Sequence, residues 1–252
     1  MITSENYFSK ENELKYMGST QFKNFMDCEA RALATVKGEF ETKQTVAMLI
    51  GSYVDAHFEG TLDIFKAQHP EIFTQKGTLR AEFKHAEYII ERISRDEMFM
   101  RYMSGEKQVI KTGEIEGVPV KIKIDSYHKG RAIVDLKITK DFAPIWEEGQ
   151  GKLNFIEAWG YDIQGAMYQA VEGDALPFFI AGATKEDEPD LGIFSIPKEF
   201  LTLAYETVKT HIRRFADIKK GLIEPVRCEK CDYCKRTKVL KDIISLEDLQ
   251  YE

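Results

Sequence analysis

The chain has 252 residues, a formal net charge of -7, and 43% hydrophobic and 12% aromatic residues. That is enough apolar material for a sizeable core, which excludes a disordered chain, and the acidic balance argues against nucleic-acid binding by bulk charge alone. No stretch reaches the roughly 20 apolar residues of a membrane span, and residues 1–10 carry no apolar run of a secretory signal, so a cytoplasmic location is expected.

Ser19-Thr20 ahead of Phe22, Phe25, Met26, Ala30 and Leu33 predicts a capped amphipathic helix. A second helix is expected from about Gln44 to Lys66 and a third from Leu79 to Met103, with Phe83, Tyr88, Ile89, Ile93 and Met98 on its apolar face. The pattern then changes to period two. Residues 108–116, 118–127 and 133–139 predict a three-stranded antiparallel meander. A helix is expected over Glu157 to Val171. Two further strands, Pro177 to Thr184 and Leu191 to Ile196, flank the acidic loop Lys185 to Asp190. Pro197 opens a long amphipathic helix to Lys220. Positive charge gathers from Lys209 to Lys241, beside the last cysteines. This order predicts a mixed α/β (α+β) architecture, one domain over residues 1–252 with 221–252 as a Cys-rich C-terminal segment.

The chemistry concentrates on the second and third strands of the meander. His128-Lys-Gly-Arg131 reads as a hairpin turn between them. Residues two apart on a strand share a face, so Asp135 and Lys137 point the same way, and Asp125 on the neighbouring strand can reach the same spot. Two carboxylates beside a lysine suit a hard divalent cation acting on a phosphate. Lys123 shares the face of Asp125 and is a candidate phosphate contact. An ordinary charged face on an exposed hairpin is the bland alternative.

Asp125 followed by Asp135-Leu-Lys137 resembles the PD-(D/E)xK nuclease pattern in its Asp-x-Lys form. Gly51-Ser-Tyr-Val-Asp55-Ala-His57-Phe-Glu59 resembles the first motif of RecB-like nucleases, in which a metal-binding His follows Gly by four residues. Here that place holds Asp55, and His57 lies about 200° away around a helix, so both cannot face one metal. Asp55 is the expected ligand and His57 an ordinary helix residue. Gln164 and Tyr168, four apart on one helix face, resemble the Gln-x-x-x-Tyr motif that follows the Asp-x-Lys strand in the same superfamily. They are expected to hold a DNA backbone or orient the lysine by hydrogen bonds.

The four cysteines are Cys28, Cys228, Cys231 and Cys234. Two Cys-x-x-Cys steps in a cytoplasmic chain read as metal binding. The three late cysteines lack a fourth ligand, and Cys28 is the remaining candidate. Its context resembles the N-terminal cysteine of iron–sulfur nucleases in the RecB-like group. Such a site would tie residues 221–252 back to the N-terminal helix. Spacing alone does not separate a [4Fe–4S] cluster from tetrahedral Zn²⁺; the resemblance favours the cluster.

Taken together, the residues resemble phage-type exonucleases of the RecB/RecE-like branch. The resemblance implies a restriction-endonuclease-like core with a central mixed sheet flanked by helices. It implies Mg²⁺ or Mn²⁺ held by Asp55, Asp125, Asp135 and the Leu136 carbonyl, with Asp125, Asp135, Lys137, Gln164 and Tyr168 as catalytic residues. It also implies DNA as substrate, in phage-type recombination or DNA repair, a single-strand annealing recombinase as partner, and a homo-oligomeric ring. Rival readings are a nucleic-acid-binding module with a degenerate nuclease core, a metal-dependent phosphatase, and a structural zinc-ribbon protein.

Overall fold

A computed structural model describes residues 2–173, 176–240 and 243. The chain begins with α1 (Lys10–Lys15), α2 (Ser19–Asp27) and α3 (Glu29–Lys37), then α4 (Val46–Glu59), α5 (Leu62–Gln68), α6 (Ala81–Ser94) and α7 (Glu97–Tyr102). Strands β1 (Glu106–Ile115), β2 (Val118–His128) and β3 (Ala132–Thr139) follow, then a small hairpin of β4 (Ile145–Glu147) and β5 (Gly151–Leu153). Helices α8 (Phe155–Ala158) and α9 (Tyr161–Glu172) lead to β6 (Phe178–Thr184) and β7 (Leu191–Ser195). The described chain closes with α10 (Lys198–Lys219) and α11 (Asp232–Arg236). Lys241, and residues 242 and 244–252 of the expected Cys-rich segment, lie outside the described residues.

The predicted mixed α/β architecture is what folds. Five strands form one sheet in the order β1-β2-β3-β6-β7. The meander β1-β2-β3 is antiparallel, β3 pairs with β6 in parallel, and β7 returns antiparallel. A parallel neighbour needs a crossover, and α8 and α9 supply it. Helices cover both faces, and a core forms on each side of the sheet. Phe22, Phe25, Ile122, Ile124, Met167, Phe178 and Phe215 fill one, and Tyr53, Ile89, Ile93, Phe99, Leu136 and Ala181 the other. Among the described residues no helix is long and apolar enough to cross a membrane.

Three helices expected as continuous are broken. Cys28 takes an extended backbone, φ -162° and ψ 107°, and splits the first into α2 and α3. Gly60 ends α4 before α5. The side chain of Asp96 caps α7 by accepting the Phe99 amide at 2.9 Å, which ends α6 early. Periodicity reports the apolar face but not the residue at which the axis turns. The crossover helix is also shorter than expected: Gly160 sits at φ 60°, a left-handed conformation that favours glycine, and separates α8 from α9. The first helix, α1, and the three-residue strands of the β4–β5 hairpin are too short to show a period. Many of the late cations are engaged inside the fold: Arg214 grips Glu29 through two bonds of 2.6 and 2.8 Å, and Lys219 donates to Tyr16 O and Gln21 Oε1.

Candidate active site

Strand alternation sets the site. On β3, Ile133 faces one core while Val134 and Leu136 face the other. Asp135 and Lys137 therefore share the face of Ile133, under α2 and α9. The β2–β3 ladder runs from His128 opposite Ala132 to Ser126 opposite Val134. One residue further, Asp125 Oδ2 accepts the Leu136 amide at 2.9 Å, so a carboxylate takes over where the ladder stops. A residue's N–H and C=O point to the same edge of a strand, so the Leu136 carbonyl also faces this opening.

The neighbouring strand is altered at the same level. Pairing of β1 with β2 has Lys107 opposite Ser126 and Val109 opposite Ile124, and Gln108 between them takes φ 54°. A left-handed backbone at a residue other than glycine is uncommon and clusters at functional sites. Gln108 Nε2 donates to Asp125 Oδ1 at 3.3 Å, and its buried Oε1 has no hydrogen-bond partner.

Helix α9 holds the second carboxylate. A Cβ on Gly165 would stand 2.7 Å from Phe178 Cδ1 and 2.8 Å from Leu201 Cδ2, so the absence of a side chain lets α9 lie close on β6. From there Gln164 Nε2 donates to Asp135 Oδ1 at 2.6 Å and contacts Tyr168 Oη at 3.2 Å, while Tyr168 donates to Lys123 O at 2.8 Å. Both side chains are buried and committed to protein partners. They brace Asp135, the partner of Lys137, and the backbone of β2. Asp135 is 2% exposed, and its Oδ2 meets the Lys137 ammonium as an ion pair but has no hydrogen-bond partner.

Asp55 and Glu59 come from α4, one helical turn apart. A cleft of about 800 Å³ is lined by Asp55, Glu59, Asp125, Asp135, Leu136 and Lys137 together with Gln164 and Tyr168. His57 is exposed and does not line it; its ring packs edge-on against Phe58 at 5.0 Å. Lys123 also lines the cleft and pairs with Glu59 at 3.7 Å.

Crowding of acids sets the electrostatics. Burial, and then repulsion from Asp135, pushes Asp125 up to about 7, against the pull of Lys137 and the Leu136 amide. Burial and then Asp125 raise Asp55 well above the ordinary carboxylate range. Burial acts to depress Lys137, but Asp135 and Asp125 outweigh it and hold the ammonium protonated. Three carboxylates thus share one half-buried lysine, and carboxylates in such a cluster favour a hard divalent cation over two extra protons. A buried Asp135 oxygen that pairs with the Lys137 ammonium but accepts no hydrogen bond, beside other hard donors, fits Mg²⁺ or Mn²⁺.

The cleft contains residues that sequence patterns did not single out. Lys23 of α2 is lowered to about 8 by burial and then by Lys137, and it donates to Trp159 O at 3.0 Å. Phe8, 72% exposed, and Trp159, 55% exposed, stand at the cleft wall. They escaped notice because a lone aromatic or lysine has no periodic signature. Gln108 lay inside a predicted strand, where one polar residue carries no signal.

The four cysteines meet elsewhere, where α3 packs on α11. Their sulfurs all lie within 4.8 Å of one another. Cys28 and Cys234 are buried. Burial pushes Cys234 up to about 12; burial acts the same way on Cys228, but the amides of Cys231 and Lys230 outweigh it and hold that thiol near about 6.

A five-stranded mixed sheet between helices, with Asp125 and Asp135-x-Lys137 at the break of its central hairpin, defines a PDDEXK-like domain. The chain belongs to the family described as "PDDEXK-like domain of unknown function (DUF3799)", whose profile matches residues 18–237. It is similar to a crystal structure from Eubacterium rectale described as a "putative exonuclease", with 48% identity, a TM-score of 0.95, and coverage of 100% of this chain and 98% of that one. No curated protein matches the chain.

Proposed function

We propose that the protein is a divalent-metal-dependent deoxyribonuclease that digests DNA from its ends. One observation carries the reading: Asp55, Asp125, Asp135 and Lys137 converge in a single cleft, with Asp135 held by Gln164 at 2.6 Å. The similarity to the Eubacterium rectale protein supports an exonuclease over an endonuclease. The resemblance to RecB/RecE-like enzymes extends the reading to phage-type recombination or DNA repair. On that reading a single-strand annealing recombinase is the partner and a ring of identical copies the working assembly.

Asp55, Asp125, Asp135 and the Leu136 carbonyl would hold Mg²⁺ or Mn²⁺, which when bound activates water and offsets phosphate charge. Lys137 positions the attacking water and stabilises charge developing on the phosphate. Gln164 fixes the Asp135 carboxylate, and Tyr168 ties α9 to β2 through the Lys123 carbonyl. Gln108 holds Asp125 from the β1 side. Lys23 and Lys123 offer cations to the strand, and Phe8 and Trp159 offer exposed faces on which bases stack.

The test is digestion of end-labelled linear DNA and of closed circular DNA, each with Mg²⁺, with Mn²⁺ and without metal. Loss of linear DNA only, dependent on metal and abolished by Asp135→Asn or Lys137→Ala in folded protein, is expected. Cutting of circles would refute the end-directed reading. DNA binding without metal-dependent cleavage would select the degenerate-core reading, and an Asp135→Asn variant as active as the parent would remove the assignment.

A further inference from the structure

The sulfur geometry of the cysteine cluster discriminates between its two candidate occupants. Cys28 Sγ lies 3.6 Å from Cys234 Sγ and 3.8 Å from Cys231 Sγ, and Cys228 Sγ lies 3.9 Å from Cys234 Sγ. Four thiolates around one zinc at about 2.3 Å form a tetrahedron whose edges are about 3.8 Å. A [4Fe–4S] cluster places each thiolate on a different iron, and its outer sulfurs then stand on the order of 6 Å apart. The largest separation here is within 4.8 Å, so the cluster would have to force the thiols outward. The iron–sulfur occupant implied by the family resemblance does not fit this spacing.

The surrounding backbone is arranged for the tighter site. The Cys231 amide donates to Cys228 Sγ at 3.3 Å, and the Cys234 amide points at Cys231 Sγ at 3.5 Å. These are amide-to-sulfur bonds inside each Cys-x-x-Cys step, and they favour the thiolate form that a metal requires. The tail is braced from outside as well. Arg227 donates to the Cys234 carbonyl at 2.6 Å, and Glu29, one residue after Cys28, accepts the Val226 amide at 2.7 Å. Tyr233 packs edge-on against Phe40 at 5.4 Å, closing the cluster from the α3 side.

We propose that Cys28, Cys228, Cys231 and Cys234 hold one tetrahedral zinc ion in place of an iron–sulfur cluster, and that this ion is a latch for the cleft wall. Cys28 is the residue at which α2 gives way to α3, and α2 carries Ser19, Thr20, Lys23 and Asn24 of the cleft. Fixing Cys28 to the tail therefore fixes the helix that presents Lys23. The four thiolates leave no open position, as in structural rather than catalytic zinc sites. Nothing in this inference depends on the nuclease reading.

The experiment is metal and sulfide analysis of the full chain purified under anaerobic conditions, with Co²⁺ replacement as a spectroscopic check. About one zinc per chain is expected, with no acid-labile sulfide and no visible iron–sulfur absorption. The Co²⁺ form should show the intense d–d bands of a tetrahedral thiolate site. Cys28→Ser and Cys228→Ser should each lose the ion, lower the melting temperature and expose the segment around Arg227 to protease, whether or not DNA is digested. Several irons with stoichiometric sulfide, or four thiols that bind no metal, would overturn the proposal. So would a Cys28→Ser variant that keeps full zinc and parental protease resistance.

Discussion

Asp125→Asn should abolish metal-dependent digestion and at the same time stabilise the metal-free protein near neutral pH. Burial and Asp135 push Asp125 from 3.8 to about 7 in the folded state. The folded state therefore holds this proton more tightly than the unfolded chain does. Its contribution to stability is fully present below the unfolded value and is lost as pH rises from about 4 through about 7. Three units at 1.36 kcal/mol each would be about 4 kcal/mol. Asp125 is partly solvent-accessible, and screening reduces the figure to about 2 kcal/mol. The asparagine retains an oxygen for the Leu136 amide, and Gln108, whose Oε1 is unpartnered, can turn that oxygen toward the new NH₂ group. For a chain of this size the gain corresponds to a melting temperature higher by about 4–8 °C. The assay is thermal denaturation from pH 5 to pH 8 without added Mg²⁺. The gap between variant and parent should be largest at pH 8, shrink on acidification, and narrow when Mg²⁺ stabilises the parent alone. A variant no more stable than the parent at pH 8, or a gap independent of pH, would refute the claim that acid crowding shapes this site.

Gln164→Leu removes the 2.6 Å bond to Asp135, and hydrogen bonds to charged groups contribute about 1.5–3 kcal/mol. Digestion should fall about 10- to 100-fold with the fold retained, and a leucine variant with parental turnover would show that Asp135 needs no brace. Gly165→Ala drives a methyl group to within 2.7 Å of Phe178 and 2.8 Å of Leu201, which should cost about 1–3 kcal/mol. A calorimetric melt should register this loss, together with weaker digestion as α9 lifts Gln164 away from Asp135. An unchanged melting temperature would mean that α9 is not closely seated on β6.

The fold was legible because its strands and helices carry clean periods, and the five long strands stand at their expected places. What periodicity could not give was connection: the parallel pairing of β3 with β6 depends on the crossover. Asp125, Asp135 and Lys137 were legible from strand alternation, and Asp55, Gln164 and Tyr168 from their likeness to nuclease motifs; the structure draws all six to one cleft. The direction of Gln164 and Tyr168 was not visible. Sequence places them on one helix face, but only the close approach at Gly165 shows that the face looks inward at Asp135. Lys23 and Phe8 reach the cleft from N-terminal segments far away in sequence, through packing that no local pattern encodes.

The bond from the Leu136 amide to Asp125 joins the backbone of the central sheet to the charge of the cleft. An amide proton shared with a carboxylate shifts its resonance when that carboxylate gains or loses a proton, or is drawn toward a cation. Leu136 is thus a built-in indicator: one peptide nitrogen, already part of the fold, whose spectrum reads the occupancy of the cleft without any label or substrate.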